Sequence, residues 1–167
     1  NTYGLGNIQM RPPKENRKRK IRLPAGHSVN IFPSLKGIIF QTHFGWAGAT
    51  VTDEGIRNVF LHEPSRKQVK SRMMEKGTTI LDNPTTLLEK FILSVKDYFE
   101  GKKVEMSFKL DLSGLSQFSQ KVLIVTQEIC YGQTQTYGQV AALAGSSMAS
   151  RAVGTVMARN PVPLIVP

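Results

Sequence analysis

A length of 167 residues with 40% hydrophobic composition suits one ordinary core or two small ones, since domains commonly run ~50 to 200 residues, and excludes a chain that is disordered throughout. The formal net charge of +10 favours a polyanionic partner, while the absence of any apolar run near the ~20 residues of a bilayer-spanning helix excludes a helical membrane protein. Cys130 is the single cysteine, so an internal disulfide framework is excluded and a reducing, intracellular setting is expected.

The charge is unevenly placed. Residues 1–22 hold seven Lys or Arg against Glu15, a net +6 that leaves +4 for the remainder. This run reads as a solvated, disordered arm; a DNA-contacting arm or a localisation signal is the alternative. Residues 1–36 are therefore taken as tail and connector. Within 38–62, three β-rich runs punctuated at Gly45 and at Asp53-Glu54-Gly55 predict a meander of antiparallel strands. Ser65 to Lys76 is basic and helix-compatible, and Thr78 to Leu81 is a candidate strand. Thr85 to Phe99 places Leu88, Phe91, Ile92, Val95 and Phe99 at three- and four-residue steps, which predicts a helix capped by Thr85 or Thr86 and ended by Gly101. VEMSFKLDL (104–112) reads as extended. These elements predict an α+β domain over 37–110, with Phe44 and Trp46 in its core.

The remainder, 111–167, reads as three helices. Ser116 precedes an apolar stripe of Phe118, Val122, Val125 and Ile129 that ends near Tyr131-Gly132. Thr136 caps a short helix through Ala144, and Gly145 supplies a left-handed stop. Ser146 or Ser147 is expected to cap a third helix that Asn160-Pro161 terminates. On that third helix Val153, Val156 and Met157 share one face, so Arg151 points outward, and Ala149, Ala152 and Gly154 keep the helix slim. Slimness suits either tight helix packing or entry into a minor groove about 6 Å wide. No metal site is expected, because His27, His43 and His62 are widely spaced and Cys130 stands alone.

The segment TYGQVAALAGSSMASRAVGTVMARNPVPLIVP (136–167), together with LDLSGLSQFSQKVL (110–123), resembles the alkylguanine-DNA alkyltransferases (methylated-DNA-protein-cysteine methyltransferases). THFGWAGATVTDEGI and DYFEGKKVEMSFKLDL follow the same family's outline more weakly. The resemblance implies an α+β fold: a small ribonuclease-H-like N-terminal domain with an antiparallel sheet, then a winged-helix or helix-turn-helix DNA-binding domain. It also implies direct-reversal DNA repair, in which an alkyl group moves irreversibly from oxygen 6 of guanine to a protein cysteine after minor-groove binding and base flipping. By the same resemblance Arg151 fills the gap left by the extruded nucleotide. Tyr137 helps turn that nucleotide out and donates a proton or hydrogen bond, as a phenolic hydroxyl can. Asn160 braces the hinge, and Ser119 and Ser146 touch the DNA backbone or serve as helix caps.

The nucleophilic cysteine is expected directly after Pro167, so the segment from Asn1 to Pro167 is expected to be interior to a longer protein. Cys130, at a position where relatives carry a proline, is expected to be a structural thiol. If the chain were to end at Pro167, Leu164, Ile165 and Val166 are expected to be left exposed. No cofactor is implied. The implied partner is double-stranded DNA bearing an alkylated guanine, approached by a monomer in the cytoplasm, or the nucleus of a eukaryote. The alternative reading is a non-catalytic, alkyltransferase-like lesion-binding protein.

Overall fold

A computed structural model describes residues 34–167; the basic tail and His27 lie outside the described residues. The element order is β1 (Lys36–Thr42), β2 (Gly45–Thr52), β3 (Gly55–Glu63), α1 (Arg66–Glu75), β4 (Thr79–Ile80), α2 (Thr86–Phe99), α3 (Gln117–Gln127), α4 (Tyr137–Leu143) and α5 (Ser150–Ala158). The expected meander is present: β1 pairs antiparallel with β2, and β2 with β3. The short β4 pairs parallel with β1, so the four-stranded sheet, in the order β3-β2-β1-β4, is mixed rather than wholly antiparallel.

Alternate residues of a strand face opposite sides of its sheet, and each side here has its own helix. Ile39 and Phe60 face α1, whose Val69 and Met73 are fully buried against them. Glycines let α1 come down close: a Cβ at Gly48 would stand 2.7 Å from Val69 Cγ1, and one at Gly37 would collide with Met73. On the other side Ile38, Phe40, Ala49 and Val59 pack with Leu88, Phe91 and Val95 of α2, where Phe40 and Phe91 meet edge to face at 6.4 Å between ring centres. Thr85 caps α2 by accepting from the Leu88 N–H.

The same cluster includes Leu123 of α3 and Val162, Ile165 and Val166 of the C-terminal segment. This corrects the expectation that Ile165 and Val166 are exposed: they retain 2% and 1% of their accessible surface. Even without anything after Pro167, the sheet face and α2 give these side chains apolar partners. Leu164 is half-buried and adopts φ +72°.

Two more readings are corrected. Phe44 is 58% exposed, stacking edge-on with His62 and Phe99 at the surface, because it sits in the two-residue turn between β1 and β2. Trp46, half-buried, does pack on the Phe60–Val69–Met73 cluster. Residues 104–109 join no sheet strand, but they keep the alternation of half-buried and exposed positions of the extended segment expected there, and Leu110 forms a bridge with Ile56. Cys130 is exposed, not structural, since α3 ends at Gln127 and the following turn carries it outward.

Candidate nucleic-acid interface

Three helices build the C-terminal unit. Ser116 caps α3 by accepting from the Ser119 N–H, and the two hydroxyls are 2.9 Å apart, so Ser119 is the third helical residue rather than the cap. Thr136 opens α4 with a capping box: its hydroxyl accepts from the Gln139 N–H while Gln139 Oε1 accepts from the Thr136 N–H. Capping fixes Tyr137 as the first residue of α4, with half its surface exposed. Gly145 takes φ +83°, and its N–H donates to Ala142 O while that of Ser146 donates to Ala141 O. That pair of bonds is a Schellman stop.

The stop explains a correction. Neither Ser146 nor Ser147 caps α5; Ser146 is spent closing α4, a turn follows at Ser147-Met148, and Ala149 starts α5 with no side-chain cap. Val153 of α5 is fully buried against Val122, Val140 and Ala141, whereas Arg151 is exposed as expected. Gly154 has a specific use: a Cβ there would stand 3.3 Å from Cε2 of Tyr137, so the slim side of α5 admits the tyrosine ring. Tyr137 and Gly154 thus come together across the α4–α5 pair, with Arg151 one turn earlier on α5 and Ser146 in the connecting turn; Ser119 is on α3.

Beyond α5 the chain is braced twice. Asn160 Oδ1 accepts from the Val162 N–H and its Nδ2 donates to Val166 O, both at 2.9 Å. The Val59 N–H, on the outer edge of β3, donates to Pro161 O at 2.8 Å. The edge strand, which would otherwise present unpaired donors, is therefore covered by the hinge. Next to it, the Ile56 N–H donates to Lys109 O and the Asp111 N–H to Ile56 O.

A buried anion secures this joint, and its importance was not read from the sequence. Asp111 accepts from Thr52 on β2, Arg57 on β3 and both the N–H and hydroxyl of Ser113, at 2.6 to 3.0 Å. Burial pushes the Asp111 carboxyl up, but the donors from Ser113, Thr52 and Arg57 more than reverse this and hold it at about 2. The available signal was an acidic residue between Leu110 and Leu112, flanked by apolar positions.

Tyr137, Gly154 and Met157 line an open cavity of about 1330 Å³, together with Met106, Phe108 and the hinge residues Pro163 and Leu164. The exposed Cys130 is also on its wall. Among the described residues no three His, Cys, Asp or Glu side chains gather as a metal site, and no helix is long and apolar enough to cross a membrane.

Residues 117–167 match the family model described as 6-O-methylguanine DNA methyltransferase, DNA binding domain. A methylated-DNA–protein-cysteine methyltransferase of Mycobacterium leprae is 43% identical over 70 residues, 42% of either chain. One from Methanothermobacter thermautotrophicus is 29% identical over 121 residues, 72% of this chain and 62% of that one. The chain thus aligns with less than two thirds of the length of these relatives. Among solved structures, the Mycobacterium tuberculosis O6-methylguanine methyltransferase superposes with a TM-score of 0.62 at 25% identity, covering 80% of this chain and 75% of that one. The M. tuberculosis protein in complex with DNA gives 0.60 at 26% identity, covering 79% and 74%. The resemblance to the alkylguanine-DNA alkyltransferases therefore holds in sequence through the family's DNA-binding domain at 117–167 and in fold over about four fifths of the chain.

Proposed function

We propose that the whole protein repairs DNA by direct reversal, taking the alkyl group from oxygen 6 of guanine onto its own cysteine in a single turnover without a cofactor. The observation that carries this reading is the Tyr137 ring seated against Gly154 of α5, the helix that presents Arg151 outward immediately before a hinge braced by Asn160. In this reading α5 enters the minor groove. Arg151 takes the place of the extruded nucleotide and offsets part of the few kcal/mol that unstacking costs. The flipped base occupies the end of the cavity beside Tyr137 and Met157; a single base needs only a fraction of its volume.

Tyr137 donates a proton to the departing guanine as the bond from the alkyl carbon to oxygen breaks and its bond to sulfur forms. Asn160 is a positioning residue: by holding Val162 and Val166 it fixes the direction in which the chain leaves the hinge toward the acceptor thiol. Ser119, at the first turn of α3, and Ser146, in the α4–α5 turn, contact the DNA backbone. The division into 37–110 and 111–167 then separates scaffold from reader. The proposed setting is the cytoplasm, or the nucleus of a eukaryote, with the protein acting as a monomer.

Arg151→Ala tests the reading. Fluorescence anisotropy should show at least a tenfold loss of affinity for duplex bearing O6-methylguanine and a much smaller loss for single strands. Equal losses on both substrates would remove the arginine from the flipping step. For transfer itself, a labelled methyl titration of the full gene product should saturate at one methyl per polypeptide; lesion binding with no labelled protein would instead establish the non-catalytic binder.

A further inference from the structure

The proposed reader uses few cations: residues 116–167 contain only Lys121, Arg151 and Arg159, against Glu128. The positive charge of the described residues is concentrated elsewhere. Residues 65–76, α1 with its caps, hold five cations against Glu75, and the rest of the described chain holds ten cations and ten acidic residues. The net +4 of the described residues is therefore the net charge of one helix.

The cations of α1 are arranged, not scattered. Val69 and Met73 point into the sheet, and at ~100° per residue Arg66, Lys67 and Lys70 fall together on the adjoining flank, with the exposed Met74 among them. The ion pairs among the described residues take Arg72, which bonds Glu63, but none of Arg66, Lys67 and Lys70. Arg66 and Lys67 also stand in the first turn, where no acidic residue is present and the helix dipole disfavours positive charge. They weaken the helix they belong to, which points to an anion outside it.

Among the described residues α1 packs on strands β1 to β4, on the face opposite α2 and the hinge. A duplex held by α5 therefore does not reach this flank without bending around the sheet. We propose that α1 is a second, sequence-independent DNA surface, on which Arg66, Lys67 and Lys70 hold the phosphates of a second duplex segment while α5 engages the first. The inference rests on the chain being a DNA-binding protein, and names a partner site separate from the lesion reader. A protein with two such surfaces can transfer between neighbouring segments of a compacted genome.

The test uses the full 167-residue chain. It is first saturated with a short unlabelled duplex carrying O6-methylguanine, then titrated with a fluorescent undamaged duplex at several salt concentrations. Wild type should take up the second duplex, with a log affinity that falls linearly with log salt. In R66A/K67A/K70A that uptake should drop at least tenfold and the salt slope should shallow by about 2 to 3, at ~0.9 for each phosphate no longer neutralised. Lesion binding should stay within twofold of wild type. Arg151→Ala should do the reverse, so failure of the lesion reading and failure of this one are told apart. Uptake that is absent, or equal in the triple variant, overturns the proposal; a melting temperature unchanged from wild type excludes misfolding as the cause of a loss.

Discussion

Two residues show how much local chemistry this fold concentrates. Asp111 joins two strands of the sheet to the loop that leads into α3, through Thr52, Arg57 and Ser113. Its folded pKa of about 2 is below the unfolded value of 3.8, so the carboxylate contributes stability that is fully present above pH ~4 and is lost as pH falls toward 2. The shift corresponds to about 2 kcal/mol. Asp111→Asn should therefore melt at lower urea at pH 7, by roughly 2 kcal/mol, and should lose that deficit between pH 4 and pH 2. A deficit that persists unchanged at pH 2 would mean that shape rather than charge is lost. Gly154 makes a different point. Alanine there gains about 1 kcal/mol of helix propensity but puts a methyl 3.3 Å from the Tyr137 ring, which must shift by a few tenths of an ångström. Gly154→Ala should leave thermal stability equal or raised and still weaken binding to lesion-bearing duplex several-fold, measured by anisotropy. The sequence exposed Gly154 as an anomaly, but two explanations fitted, because only the structure shows which neighbour uses the space.

At the scale of elements, legibility followed the kind of signal. Period and caps are local, so α2 with Thr85, α4 with Thr136 and the start of α3 at Ser116 were readable to within a residue, whereas α3 stops at Gln127, short of the Ile129 and Tyr131-Gly132 end that its apolar stripe suggested. The start of α5 was not, since Ser146 looks like a cap in the sequence and only hydrogen bonding shows that its N–H closes the previous helix onto Ala141. The bracing of Asn160, implied by resemblance, has a visible geometry in its bonds to Val162 and Val166, whereas the burial of Ile165 depends on a sheet face more than a hundred residues earlier in the chain. Asp111 was missed for the same reason: its partners Thr52 and Arg57 are distant in sequence. The α4–α5 stop gives a clean test of conformational strain. Gly145 has φ +83°, and nothing lies within 4 Å of where a Cβ would stand, so Gly145→Ala adds no clash and costs only the left-handed backbone, about 1 to 2 kcal/mol in urea unfolding. Asparagine, which tolerates that region, should cost less.

At the scale of the molecule, the decisive fact is that one apolar cluster joins strands β1 to β3, α2, Leu123 of α3 and the hinge residues Val162, Ile165 and Val166. A reader attached only by a flexible linker would unfold on its own; one that shares buried side chains with the sheet should not. The chain provides two separate reporters of this. Trp46 is the single tryptophan and packs on the α1 side of the sheet, while Val122, Val140 and Val153 form a cluster of their own among the three C-terminal helices. Tryptophan fluorescence therefore follows the sheet, and ellipticity at the helical minimum weights the helices. The two urea curves should coincide within error, as two-state unfolding of a single unit requires. Ile165→Ala should shift both curves together by roughly 2 to 4 kcal/mol, the usual range for removing a buried isoleucine side chain. If the helical signal moves while Trp46 stays in place, the hinge is anchored to the helices alone, and the sheet does not set the direction in which the chain leaves Asn160.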